Sequence, residues 1–154
     1  MNGAMEEYHL AVQRNPRFLE AYRDLGVLLL DRHQYSGAVA ALEEAVRLGG
    51  DDGDMWYWLG RGLMGTGNWA RAESVLRSAT KLKPYDAEAY ADLGLVQMVQ
   101  GDVSGATESL RSSIELKPDY AEAHARLETI TSNQADPERV MRVARKILSQ
   151  LFER

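Results

Sequence analysis

The sequence repeats itself with a period of 34 residues. Tyr22, Leu25 and Gly26 begin three series in which an aromatic residue, a leucine and a glycine recur at this spacing. The series are Tyr22, Trp56, Tyr90 and His124; Leu25, Leu59, Leu93 and Leu127; and Gly26, Gly60, Gly94 and Glu128. Self-similarity at a fixed period of this length is typical of stacked supersecondary units. The sequence therefore predicts an array of stacked repeats.

The second half of each unit repeats as well, with a small residue, a large apolar residue and a second small residue. The series are Ala4, Ala38, Ala72, Ala106 and Val140; Tyr8, Leu42, Leu76, Leu110 and Ala144; and Ala11, Ala45, Ala79, Ser113 and Ile147. Pro16, Pro84 and Pro118 end three units, and Gly50 takes that place once. This pattern resembles the tetratricopeptide repeat family. The resemblance implies an all-α, right-handed superhelical solenoid of antiparallel helix hairpins, about nine helices in all, with a concave groove lined by the first helix of each unit.

The register divides one solenoid domain into five segments. We assign residues 1–18 to the second helix of a partial repeat, 19–52, 53–86 and 87–120 to three whole repeats, and 121–154 to a degenerate fourth repeat. The first helix of this partial repeat is missing, which favours a chain cut from a longer protein over a lone N-terminal cap. We expect the glycine-rich run at 49–53 to be a soft joint. Gly62 and Gly65 have no explanation in the repeat.

The fourth unit departs from the pattern. Glu128 replaces the glycine of close approach, and a buried unpaired carboxylate would cost several kcal/mol, so we expect this hairpin to splay or Glu128 to reach solvent. Asp136-Pro137 predicts a helix start. The last helix carries five basic against two acidic residues. It is interpreted as a C-terminal cap, with a dimer interface or a partner-binding basic helix as alternatives.

Composition limits the classes of partner. A net charge of −5 argues against nucleic acid. No run of 18 apolar residues predicts a membrane span, and the start lacks the pattern of a signal peptide, which favours the cytoplasm unless a leader was cut away. Cysteine is absent, which excludes disulfides and thiolate sites.

No pattern indicates catalysis. His9, His33 and His124 lie in different units without a second ligand at metal spacing, and no phosphate loop or nucleophile elbow is present. His124 takes an aromatic place and is interpreted as a packing residue. We predict a non-enzyme without metal or cofactor.

The groove of the resembled family predicts the binding site. Trp58 follows the core residue Trp56 by two places and so points about 200° away from it around the helix. The predicted groove residues are Trp58, Tyr57, Arg61, Met64, Leu95, Met98, Val27, Leu30, Asp24, Asp31, Glu88 and Asp92. They form an apolar floor with an acidic rim. The alternative is that some of them pack on the next unit or are exposed to solvent without a binding role.

One known use of the family does not fit. Some members clamp the C-terminal carboxylate of chaperones with lysine, asparagine and arginine. Here Val27 and Trp58 replace asparagines, and Glu88 and Asp92 replace the lysine and arginine, so the charge is reversed. The hypothesis we favour is a non-enzymatic scaffold that binds an apolar peptide or helix carrying basic residues. The alternatives are a module that self-associates through its N-terminal or C-terminal helix, and a regulatory segment of a larger enzyme.

Overall fold

A computed structural model describes residues 2–15, 17–49 and 52–152. Within these ranges the chain is helical, without strands. The helices are α1 Asn2–Arg14, α2 Leu19–Asp31, α3 Tyr35–Gly49, α4 Gly53–Gly65, α5 Trp69–Leu82, α6 Ala87–Val99, α7 Val103–Leu116, α8 Ala121–Ser132 and α9 Pro137–Phe152. Pro16 and Gly50, assigned above to the ends of units, and part of the expected joint at 49–53 lie outside the described residues.

Polar side chains begin several of these helices. The side chain of Asp86 accepts a hydrogen bond from the backbone N–H of Ala89 at 3.2 Å, and Asp102 accepts one from Gly105 at 2.9 Å. Asp136 accepts from the N–H of Arg139 at 3.1 Å. Each bond satisfies a donor that the first turn of a helix leaves without a partner. The helix start predicted at Asp136 is therefore confirmed.

The repeated glycines allow the two helices of a unit to approach closely. A Cβ atom on Gly60 would lie 2.6 Å from the Leu76 side chain, and one on Gly94 would lie 2.8 Å from that of Leu110. Gly26 faces Leu42 in the same way. The predicted packing of α2 on α3, α4 on α5 and α6 on α7 is thus observed.

Gly62 and Gly65, which the repeat pattern did not explain, leave space for side chains of the preceding unit. A Cβ atom on Gly65 would overlap the ring of Tyr35, and one on Gly62 would lie 3.0 Å from Val39. Both contacts join α4 to α3. These glycines therefore allow the second repeat to pack closely on the first.

The fourth unit does not form a hairpin like the others. Glu128 is exposed, which is one of the two outcomes expected from the sequence. Helix α8 makes few contacts with α9. Helix α9 packs mainly on α6 and also touches α4. His124 was predicted to pack, and that prediction is wrong, because the residue is exposed and its Nε2–H donates to the Pro118 carbonyl at 2.7 Å.

Buried apolar side chains form one cluster from α3 to α9 and a smaller one at α2 and α3. Trp56 packs against the larger cluster, as its place in the repeat predicted, and Trp69 packs there as well. Among the described residues, no helix combines the length and hydropathy that a membrane crossing requires.

Candidate partner-binding groove

The first helices of the repeats line an open groove of about 570 Å³ on the inner face of the solenoid. Val27 and Leu30 come from α2, Trp58 from α4 and Glu88 from α6. The end of α9 closes one side with Leu151 and Phe152. The groove thus has apolar walls from three helices that are distant in sequence.

Seven of the predicted site residues meet in this groove. They are Val27, Leu30, Asp31, Tyr57, Trp58, Arg61 and Glu88. Asp24 lies beside an adjoining cavity of about 580 Å³, which shares Val27, Asp31 and Trp58 with the groove and reaches Tyr8 of α1. The open surface therefore extends from α1 to the end of α9.

Four predicted site residues are buried and take no part in the open surface. Met64, Leu95 and Met98 are at most 1% exposed, and Asp92 is 2% exposed. The repeat register places Leu95 and Met98 on the inner face of α6, as predicted, but α9 packs on that helix. The expectation that these four residues present an accessible floor and rim is corrected accordingly.

Asp92 is the centre of a charged cluster below the groove. Its Oδ2 atom accepts a hydrogen bond from the Tyr57 hydroxyl at 3.1 Å and one from Arg61 at 2.9 Å. On its other side Arg126 approaches Oδ1 at 3.4 Å and donates to the Ala91 carbonyl at 2.8 Å. One carboxylate therefore holds side chains from α4 and α8 against α6. This geometry makes Asp92 a structural residue, since it faces neighbouring repeats and is closed to solvent.

The cluster shifts the pKa values of its members. Burial raises the pKa of the Tyr57 hydroxyl above its usual range, and the adjacent Asp92 carboxylate raises it further. Burial works against the charge of Arg61, but the attraction of Asp92 and the contacts with Tyr57 together outweigh it, so that the pKa of Arg61 is raised. Tyr57 is thus neutral and Arg61 charged throughout the physiological pH range.

Exposed carboxylates surround the apolar part of the groove. Asp31 and Glu88 are exposed, and Glu122 accepts a hydrogen bond from the Tyr120 hydroxyl at 2.8 Å. Burial raises the pKa of Tyr120, and the bond to Glu122 raises it further. Arg61 and His33 are the basic side chains that line the groove, and the charge of Arg61 is directed to Asp92. The groove therefore presents negative charge to a ligand.

Six residues outside the predicted set also line the groove, namely His33, Tyr35, Tyr120, Glu122, Leu151 and Phe152. Among them, Phe152 comes from the last helix. Its ring meets that of Tyr35 edge to face, with centroids 5.4 Å apart, and lies 5.3 Å from the guanidinium carbon of Arg61. Two signals in the sequence bear on this placement: Glu128 in the glycine place, and the exchange of large and small residues along the last helix. Neither says which surface the last helix covers.

The described residues hold no cluster of histidine and carboxylate side chains with the geometry of a metal site. The groove offers hydrogen-bond acceptors and apolar contacts. Such a surface can bind a ligand through these contacts.

Comparison with known proteins gives a consistent result. The family profile described as tetratricopeptide repeat matches residues 4–52, 23–86 and 59–121, which together extend over most of the chain. A search of curated proteins found no significant match.

Several solved structures share the architecture. A crystal structure of MamA is 24% identical with a TM-score of 0.85, over 96% of this chain and 86% of the other. YrrB, described as a TPR protein with an unusual peptide-binding site, is 22% identical with a TM-score of 0.78, over 96% and 75%. The first TPR of Spaghetti (RPAP3), bound to an HSP90 peptide, is 18% identical with a TM-score of 0.73, over 77% and 94%. At these identities the likeness shows the fold.

Proposed function

Because this chain belongs to the tetratricopeptide repeat family, we propose that it is a non-enzymatic scaffold for protein interactions whose groove binds a partner peptide or helix. Its structural neighbours include one described by its peptide-binding site and one bound to a peptide. The fold accounts for the groove but assigns no ligand to it. The partner's chemistry has to be inferred from the groove residues themselves.

The observation that carries the proposal is the place of Trp58. This side chain lines both the groove and the adjoining cavity and is accompanied by Val27 in each. A half-buried tryptophan beside other apolar side chains is the kind of anchor that supplies most of the energy at protein interfaces. We therefore assign Trp58 the central contact with an apolar residue of the partner.

Charge complementarity defines the rest of the partner. Asp31, Glu88 and Glu122 surround the groove, and carboxylates in such places attract lysine and arginine and repel acidic chains. The partner is accordingly a segment of another protein that combines an apolar residue with neighbouring basic residues. A C-terminal carboxylate ligand is disfavoured, since Glu88 would lie close to it.

Selection from a random peptide library displayed on phage tests this assignment. Peptides enriched on the wild-type chain should carry an apolar residue flanked by lysine or arginine, and they should lose binding to Trp58→Ala. The matched control is Tyr85→Ala, which removes an aromatic ring that is 71% exposed and lies outside the groove. Enrichment of acidic peptides, or equal loss of binding in both variants, would contradict the proposal.

The carboxylates are tested separately. Glu88→Lys should weaken the selected peptides by about tenfold or more, because it replaces an attraction by a repulsion. Glu108→Lys makes the same change on the exposed surface of α7 and should leave the affinity unaltered. If the two substitutions act alike, the effect comes from net charge and the rim has no role.

A further inference from the structure

Helix α9 does not pair with α8 as the second helix of a repeat would, for two physical reasons. Glu128 stands where Gly60 and Gly94 let paired helices touch, so its side chain keeps a partner helix at a distance. The turn before α9 also differs, because Gln134 and Ala135 adopt φ of 56° and 54° in succession. The turns at Gly67 and Gly101 contain one such residue. The extra left-handed residue turns α9 away from α8.

The helix comes to lie on the inner face of α6. Val140, Ala144 and Leu148 are at most 4% exposed and belong to the same apolar cluster as Leu95 and Met98. At the start of α9, Met141 lies against Gly101, where a Cβ atom would come within 2.9 Å of its sulfur. At the end, Phe152 reaches Tyr35 and Arg61. The helix therefore extends along the inner face from the third repeat to the boundary of the first.

The contacts of α9 resemble those of a bound ligand helix more than those of a repeat. Its buried face consists of residues four apart with a small one in the middle, and its outer face is basic. Arg139, Arg142, Arg145 and Lys146 are exposed, and no ion pair between described residues involves them. The described contacts that bury α9 are thus mainly apolar, with the Phe152 ring beside Arg61 at its end.

We propose that the inner face of α6 is a helix-binding site and that α9 is its intramolecular occupant, which a partner helix of the same pattern replaces. This inference rests on the proposed function and extends its groove by the surface that α9 covers. The partner helix has large apolar residues at the first and ninth places of the contact, a small residue at the fifth, and basic residues on its outer face.

The small residue is the point of specificity. Ala144 is 0% exposed between Val140 and Leu148, so the helix backbone there approaches α6 closely. A long side chain at this place would have to displace neighbouring side chains of the apolar cluster, or lift the helix away. The same requirement applies to a partner, which makes substitution at this place a sharp probe in either molecule.

A labelled peptide with the sequence of Pro137–Phe152, added to the full chain, tests the inference by fluorescence anisotropy. In the wild-type chain α9 competes with the peptide, and binding is weakened by the fraction of time that α9 is seated. Ala144→Arg in the chain unseats α9 and leaves α6 intact, so we expect binding about tenfold tighter or more. The same peptide carrying the Ala144→Arg change should bind neither chain.

Two results would overturn the inference. One is an Ala144→Arg chain that still unfolds cooperatively on heating but does not bind the peptide. The other is equal affinity of the peptide for both chains, since α9 would then not compete. Binding of the peptide together with failure of the phage selection would separate the two proposals, because α6 would bind a helix while the open groove would not.

If the Ala144→Arg chain does not fold, amide hydrogen exchange of the wild-type chain tests the inference instead. An exchangeable α9 should open without the rest of the protein, so its amides should exchange at least about tenfold faster than those of α5. Adding the unlabelled peptide in excess should accelerate the exchange of α9 and of no other helix. Exchange of α9 at the same rate as α5, with or without peptide, would contradict the proposal.

Discussion

Asp92 and Arg126 form an ion pair that is almost closed to solvent. The carboxylate is 3% exposed and the guanidinium side chain 5% exposed, and 3.4 Å separates Oδ1 from Nη1. Tyr57 and Arg61 complete the surroundings of the carboxylate from the opposite side. Charges withdrawn from water in this way are stable only while every member is paired. The cluster therefore ties the second and fourth repeats to the third.

Removal of the central charge should destabilise the whole stack. We expect Asp92→Asn to lower the free energy of unfolding by about 3 kcal/mol, since it leaves two arginines facing a neutral group. Urea denaturation measures the change. Asp24 occupies the same place in the first repeat and is half-exposed beside Arg23, so Asp24→Asn should cost less than about 1 kcal/mol. Equal losses would mean that burial of the pair has no special role.

Tyr57 should make stability fall at alkaline pH. Its pKa in the folded state is raised, so the folded protein keeps a proton that the unfolded chain releases above about pH 10. The stabilisation is complete below that pH and is lost as the pH rises further. In Tyr57→Phe this loss should be smaller, although the lost hydrogen bond lowers stability at pH 7 by about 1 kcal/mol. Urea titrations at pH 8 and pH 11 measure both effects, and parallel curves would refute the assignment.

The close approach of α6 and α7 predicts the effect of adding one methyl group. Gly94→Ala would place Cβ 2.8 Å from Leu110, and the overpacking should exceed the gain in helix propensity of about 1 kcal/mol. We expect a net loss of about 1 kcal/mol in the free energy of unfolding. A Cβ atom on Gly3 of α1 would meet no atom within 4 Å. Gly3→Ala should therefore be neutral or stabilising, and a stabilised Gly94→Ala protein would show that the helices can move apart freely.

The contacts of Phe152 should fix the end of α9. Phe152→Ala removes the ring contacts with Tyr35 and Arg61, and we expect a loss of about 2 kcal/mol from the burial and aromatic terms together. Leu151 is 37% exposed, so Leu151→Ala should change stability by less than about 1 kcal/mol. Thermal unfolding followed by circular dichroism compares the two. A larger effect at Leu151 would contradict the prediction, because it would mean that Leu151 rather than Phe152 packs against the solenoid.

The period of 34 residues by itself determined most of the architecture. Hairpin packing at Gly26, Gly60 and Gly94 and the helix start at Asp136 depend on residues close together in sequence or related by the repeat. Hydrophobic spacing and capping are local properties, which is why they can be read directly from the chain. The departure at Glu128 also showed that the last hairpin would differ from the others.

The tertiary structure alone decided where the last helix lies and which predicted residues remain accessible. The apolar stripe of α9 could have covered α8, another copy or the inner face, and the choice depends on competition between surfaces far apart in sequence. Gln134 and Ala135 both adopt a left-handed backbone conformation. Neither residue is a glycine, so the sequence gives no sign of this turn. The pairing of Asp92 with Arg61 and Arg126 likewise joins residues 31 and 34 places apart. A sequence pattern shows that such residues are charged, whereas only the packed helices decide whether the charges meet each other or meet water.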